Sequence, residues 1–135
     1  MKFKFVIFWV LLLNINAYCQ KDCSDKASYQ ARKWIGSGGS IPSENLYVFV
    51  GDTLTIITRA KNSSTSMDEE MKFLILSKRC AWNQNYTEGK SEYKLVTLPE
   101  EDEKEYLTIT VIRSNGTARL LLQYEGEPTR TFEIE

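Results

Sequence analysis

The chain has 135 residues, 42% of them hydrophobic, with 17 basic and 18 acidic side chains and no histidine. Lys2 and Lys4 fall in a leader segment, so the remainder carries a net charge of about −3, which offers no basic footprint for nucleic acid or an anionic membrane. Without histidine there is no His-based triad, His general base or His-ligated zinc.

Residues 1–19 read as a secretory signal peptide. Lys2 and Lys4 form a positive start, and Phe5 to Leu13 is an unbroken apolar run, too short for a bilayer, which needs roughly 20 residues, but of signal length. Ala17-Tyr18-Cys19 places small residues at −3 and −1, so cleavage is expected after Cys19, with a second possible site after Ala17. A lipidated Cys19 would require a small residue before it, and Tyr18 is bulky. Cleavage after Cys19 leaves 116 residues, the size of one domain, assigned here to residues 20–135 and expected to be extracellular (periplasmic or cell-surface in a bacterium). It also leaves two of the three cysteines. Cys23 and Cys80 are then an even pair in an oxidising compartment, and a disulfide between them is expected.

The segment from Cys23 to Ile35 has Ala27, Ala31 and Trp34 at helical spacing with Ser24 as a candidate cap, so it reads as a short helix or an irregular strand. With the glycine-rich run that follows it, it forms an N-terminal extension, residues 20–45. From Leu46 the pattern becomes period two with β-branched and aromatic enrichment. Seven strands are expected over residues 46–50, 54–58, 71–76, 93–98, 106–113, 118–124 and 131–134, with Ser114-Asn115-Gly116 as a hairpin turn. Leu54, Ile56, Phe73, Ile75, Leu107, Ile109, Leu120 and Leu122 are the expected core.

Seven short strands without helix alternation predict an all-β fold, a single antiparallel sandwich. The run Val48-Phe49-Val50-Gly51-Asp52-Thr53-Leu54-Thr55-Ile56 resembles the turn into the second strand of immunoglobulin-like domains, and the stretch from Leu107 to Ile134 looks like their three closing strands. The resemblance implies an immunoglobulin-like β-sandwich of about seven strands over residues 46–135. The chain departs from antibody-type domains: Ile56 and Leu122 stand where their inter-sheet cysteines would, and the third strand has no tryptophan. A fold of this kind does not define a function.

No catalytic constellation is found, no cofactor is implied, and an enzyme is not expected. Two acidic clusters, Asp68-Glu69-Glu70 and Glu100-Glu101-Asp102-Glu103, with Asp52 on a further loop, could ligate calcium or simply be solvated turns. Asn62, Asn85 and Asn115 each begin an Asn-X-Ser/Thr glycosylation sequon, and all three fall in expected loops. Trp34, Trp82 and Tyr86 lie outside the strong strands. They read either as contacts for a protein, cell-surface or glycan partner, or as packing around the Cys23–Cys80 bridge. The expected function is therefore a secreted binding module acting through its loops. The alternatives are an assembly protein pairing through a sheet edge and a carrier of a small ligand.

Overall fold

A computed structural model of the chain describes Cys23 and residues 26–36, 38–59, 69–83 and 85–135. All eight regular elements among them are strands: β1 (Lys26–Gly36), β2 (Gly39–Val50), β3 (Thr53–Thr58), β4 (Glu69–Trp82), β5 (Gly89–Thr97), β6 (Tyr106–Ser114), β7 (Thr117–Tyr124) and β8 (Arg130–Ile134). Each pairs antiparallel with the next, and β1 pairs antiparallel with β8, so the sheet closes into an up-and-down barrel.

The closure overturns the immunoglobulin-like sandwich, and its cause lies in the N-terminal segment. Of the two readings of the N-terminal segment, the helix is overturned and the irregular strand holds for residues 26–36. They are a full strand, bonded to β2 on one side and through Ala31–Ile35 to β8 on the other. The helical spacing of Ala27, Ala31 and Trp34 is a by-product of a bulge. Ala27, Tyr29 and Ala31 alternate along the inner face, and the register then slips between Ala31 and Lys33. The extra residue shifts the alternation by one, so Trp34 lies opposite Phe132, which points inward. A strand with one bulge thus imitates a helical period. β2 likewise begins at Gly39, well before Leu46. β3 to β8 match the other six expected strands, although β4 is longer at both ends and β5 begins at Gly89, four residues before the expected start.

Consecutive strands alternate in direction. One end of the barrel, here the upper end, therefore gathers the start of β1 and the β2–β3, β4–β5 and β6–β7 connections. The lower end gathers the other four. At the β6–β7 connection Asn115 (φ 53°) and Gly116 (φ 76°) are both left-handed, the type I′ geometry that suits the twist of a two-residue hairpin.

The interior is packed. Tyr47, Phe49, Leu54, Phe73, Leu95, Ile109, Val111 and Leu120 are each at most 2% exposed. Phe49 stacks on Tyr93 with centroids 4.3 Å apart and meets Tyr29 edge-on at 6.0 Å, while Tyr47 packs near Phe132 lower down. Of the eight core residues expected from sequence, seven are buried and Ile75 is half-buried. They surround a barrel axis instead of filling the gap between two sheets. Lys72, Lys94 and Arg119 stand exposed on the outer face. No helix among the described residues is long and apolar enough to cross a membrane.

Candidate functional site

β4 carries a second bulge, between Ile75 and Ser77. Below it Phe73 and Ile75 face inward. Unbroken alternation would next bring Ser77, Arg79 and Ala81 inward. The bulge hands the inner face to Cys80 and Trp82, which pair with Ser91 and Gly89 of β5. Arg79 turns outward and meets Glu92 at 3.1 Å.

Trp82 is fixed from two sides. Its indole N–H donates to Ser91 Oγ at 2.7 Å, and Ser91, only 3% exposed, also lies 3.2 Å from Cys80 Sγ. Opposite Trp82 the chain has Gly89 at φ 152°. A Cβ there would sit 2.5 Å from the Ala81 carbonyl oxygen and 2.7 Å from the Trp82 ring, so only glycine lets the indole lie over this backbone. The loop beyond is tied by Asn83. Its Oδ1 accepts from the amides of Thr87 (3.0 Å) and Glu88 (3.2 Å), and its Nδ2 donates to Thr87 Oγ1 (2.8 Å). Tyr86, held at φ 55°, places its ring 6.1 Å from that of Trp82. The expected Cys23–Cys80 disulfide is present and tethers the lead into β1 to this corner.

These features frame a pocket of about 120 Å³ at the upper mouth. Its walls come from β1, the three consecutive strands β4 to β6 across the mouth and the β4–β5 loop: Ala27 and Tyr29 of β1, Trp82 of β4, Tyr86 of the loop, Ser91 and Tyr93 of β5, and Val111 and Arg113 of β6. Four aromatic rings and one guanidinium face it, and among the described residues no carboxylate lines it. Burial pushes the Tyr29 hydroxyl up to about 12, reinforced by Tyr93 and partly offset by Arg113. Burial also raises Tyr93, against its hydrogen bond with Ser91. Both phenols are thus neutral at physiological pH. Larger but shallower depressions, of about 290 to 450 Å³, lie at the lower end and on the outer face. None of them gathers comparable rings.

The structure brings Trp82 and Tyr86 together and separates them from Trp34, which sits by the β1–β2 turn at the lower end, 37% exposed. Trp34 therefore belongs neither to this pocket nor to the packing around the disulfide. Asn85 and Asn115 are exposed at the upper end, on the connections flanking the mouth; Asn62 lies outside the described residues. Asp52 is at the upper end, whereas Glu69-Glu70 and Glu100 to Glu103 are at the lower end, so Asp52 cannot join either cluster. Among the described residues no group of three or more Cys, Asp or Glu is placed to hold a metal ion.

Tyr29, Tyr93 and Arg113 are site residues that the sequence reading passed over. One of them had a signal: Leu107, Ile109 and Val111 form the apolar face of β6, and Arg113 is the next residue on that face. A cation ending an inward-facing stripe marks a barrel mouth.

No family model matches the chain, and no curated protein or solved structure matches it either.

The tyrosine environments give a testable pH dependence. Tyr47, 1% exposed, is raised to about 12 by burial, as Tyr29 is. A raised phenol favours the folded state while it is protonated. Its contribution is complete below the ordinary tyrosine value of about 10 and is lost as pH climbs to about 12. Titration at 295 nm should show these two phenols resisting ionisation until the barrel unfolds in that window. Ionisation of every tyrosine near pH 10 with native circular dichroism would contradict the packing.

Proposed function

We propose that the chain is a non-catalytic extracellular binding protein that takes a small, single-ring ligand into the upper mouth of its barrel. The observation that carries this reading is the convergence of Tyr29, Trp82, Tyr86 and Tyr93 from β1, the β4–β5 hairpin and β5 on one cavity. An eight-stranded barrel is just wide enough to be filled by side chains or to hold one small ligand. Among the described residues this one is packed below Phe49 and carries the ring-lined pocket at the top. A dry cavity of about 150 Å³ takes a benzene, so about 120 Å³ with an open rim suits one ring with its substituent projecting outward. The Cys23–Cys80 bridge and the Asn83 hydrogen bonds order the rim in advance, which lowers the entropy lost on binding.

Pairing through a sheet edge has less support, because β8 bonds to β1 along Ala31–Ile35. The disulfide fits an oxidising compartment, in keeping with the signal-like leader.

Screening one-ring compounds by calorimetry on the mature protein tests the reading. Trp82→Ala should weaken any hit by about 2 kcal/mol, roughly 30-fold. Tyr86→Ala should weaken it less, about five- to tenfold, and leave the melting temperature within a degree or two because the residue is 42% exposed. Hits that bind both variants as tightly as the wild type would place binding elsewhere.

A further inference from the structure

Resting on that reading of the mouth, we infer that its ligand is a monoanion: an aromatic ring bearing one carboxylate, the ring against Trp82 and Tyr93 and the carboxylate on Arg113.

The inference starts from where Arg113 stands. It is on the inner face of β6, directly above Val111, and half-buried. Desolvating a guanidinium is costly unless an anion faces it. Three other arginines have a carboxylate partner, Arg32 with Glu135, Arg79 with Glu92 and Arg130 with Glu127, all on the outer surface, while Arg59 and Arg119 stand exposed to solvent and need none. No described carboxylate pairs with Arg113, although acidic residues outnumber basic ones. The other polar groups in the pocket suit an anion as well. Tyr29 and Tyr93 keep their hydroxyl protons and can donate, and among the described residues no acidic group lines the pocket to repel a negative charge. A guanidinium offers two parallel N–H groups that match a carboxylate.

The volume limits the rest of the molecule. About 120 Å³ admits one ring and leaves the acid group at the rim, which is where Arg113 lies. A long acyl chain has no room, since Phe49 and Tyr93 close the floor.

Benzoate, benzyl alcohol and benzylammonium, titrated into the wild-type mature protein at pH 7 and low salt, separate the possibilities without any variant. Benzoate should bind at least about tenfold more tightly than benzyl alcohol, the worth of one charged hydrogen-bonded contact, and benzylammonium should bind most weakly. Arg113→Gln should erase the benzoate advantage while leaving benzyl alcohol within about twofold, and Arg113→Lys should restore part of it. Equal or tighter binding of benzyl alcohol or benzylammonium, or a benzoate advantage that survives Arg113→Gln, would overturn the anion while leaving the pocket standing. If none of the three binds, or if Trp82→Ala leaves all three unchanged, the pocket reading itself fails.

Discussion

Phe49→Ala is expected to destabilise the barrel by about 3–5 kcal/mol, the range for emptying a buried aromatic site and a large part of the 5–15 kcal/mol typical of a domain. Phe49 is 2% exposed and lies between two other rings: Tyr93 stacks on it at 4.3 Å and Tyr29 meets it edge-on at 6.0 Å. Its loss opens a cavity beneath the mouth, bounded by closed-barrel backbone that cannot collapse inward. Val50, the next residue, points outward and is 51% exposed, so Val50→Ala should cost less than about 1 kcal/mol. Urea unfolding of the two variants reads the difference directly. Similar losses at both positions would mean that β2 presents its other face to the core.

Removing the disulfide is the second large effect. The Cys23–Cys80 bridge closes a loop spanning 57 positions, for which the loop-entropy relation gives about 4 kcal/mol. It joins the lead into β1 to β4 at the upper end. The lost stability should therefore be accompanied by a specific change at the mouth: the indole of Trp82, two residues beyond Cys80, should become more mobile and red-shifted in emission. Cys23→Ala/Cys80→Ala, compared with the oxidised wild type in urea, should show the midpoint displaced accordingly with the β-sheet circular dichroism retained before the transition. A double variant as stable as the wild type would make the bridge incidental.

Strands β3 to β8 and the second half of β2 were legible because most of them keep a two-residue alternation between turn signals, from Gly51-Asp52 to Asn115-Gly116, which β4 keeps only up to its bulge. The closure was not legible, and the reason is local. One extra residue in β1 turns the inner-face series Ala27, Tyr29, Ala31 into a spacing that runs on to Trp34 and copies a helix. With β1 hidden, the remaining seven strands match the count of an immunoglobulin-like sandwich. The site was half legible for the same reason. Trp82 and Tyr86 stood out as aromatics on a loop, but which way Trp82 points depends on the bulge between Ile75 and Ser77, which no propensity marks. Tyr93 looks like ordinary core alternation, and Tyr29 is hidden in the segment that reads as a helix or irregular strand, until the barrel closes and brings their strands to one mouth. Trp34 shared the composition cue and ended at the opposite end, because position along a strand, not residue type, decides which mouth a side chain reaches.

The barrel places Trp82 and Arg113, an inward-facing arginine with no carboxylate partner among the described residues, at the same end, so the location of a bound ring is the most direct test of the account. Isotope-filtered NMR on the benzoate complex of the mature protein would give it. The account predicts nuclear Overhauser contacts from the ring protons to Trp82, Tyr93 and Val111. Contacts confined to the outer-face groove around Ile112, Leu121 and Thr131 would contradict it.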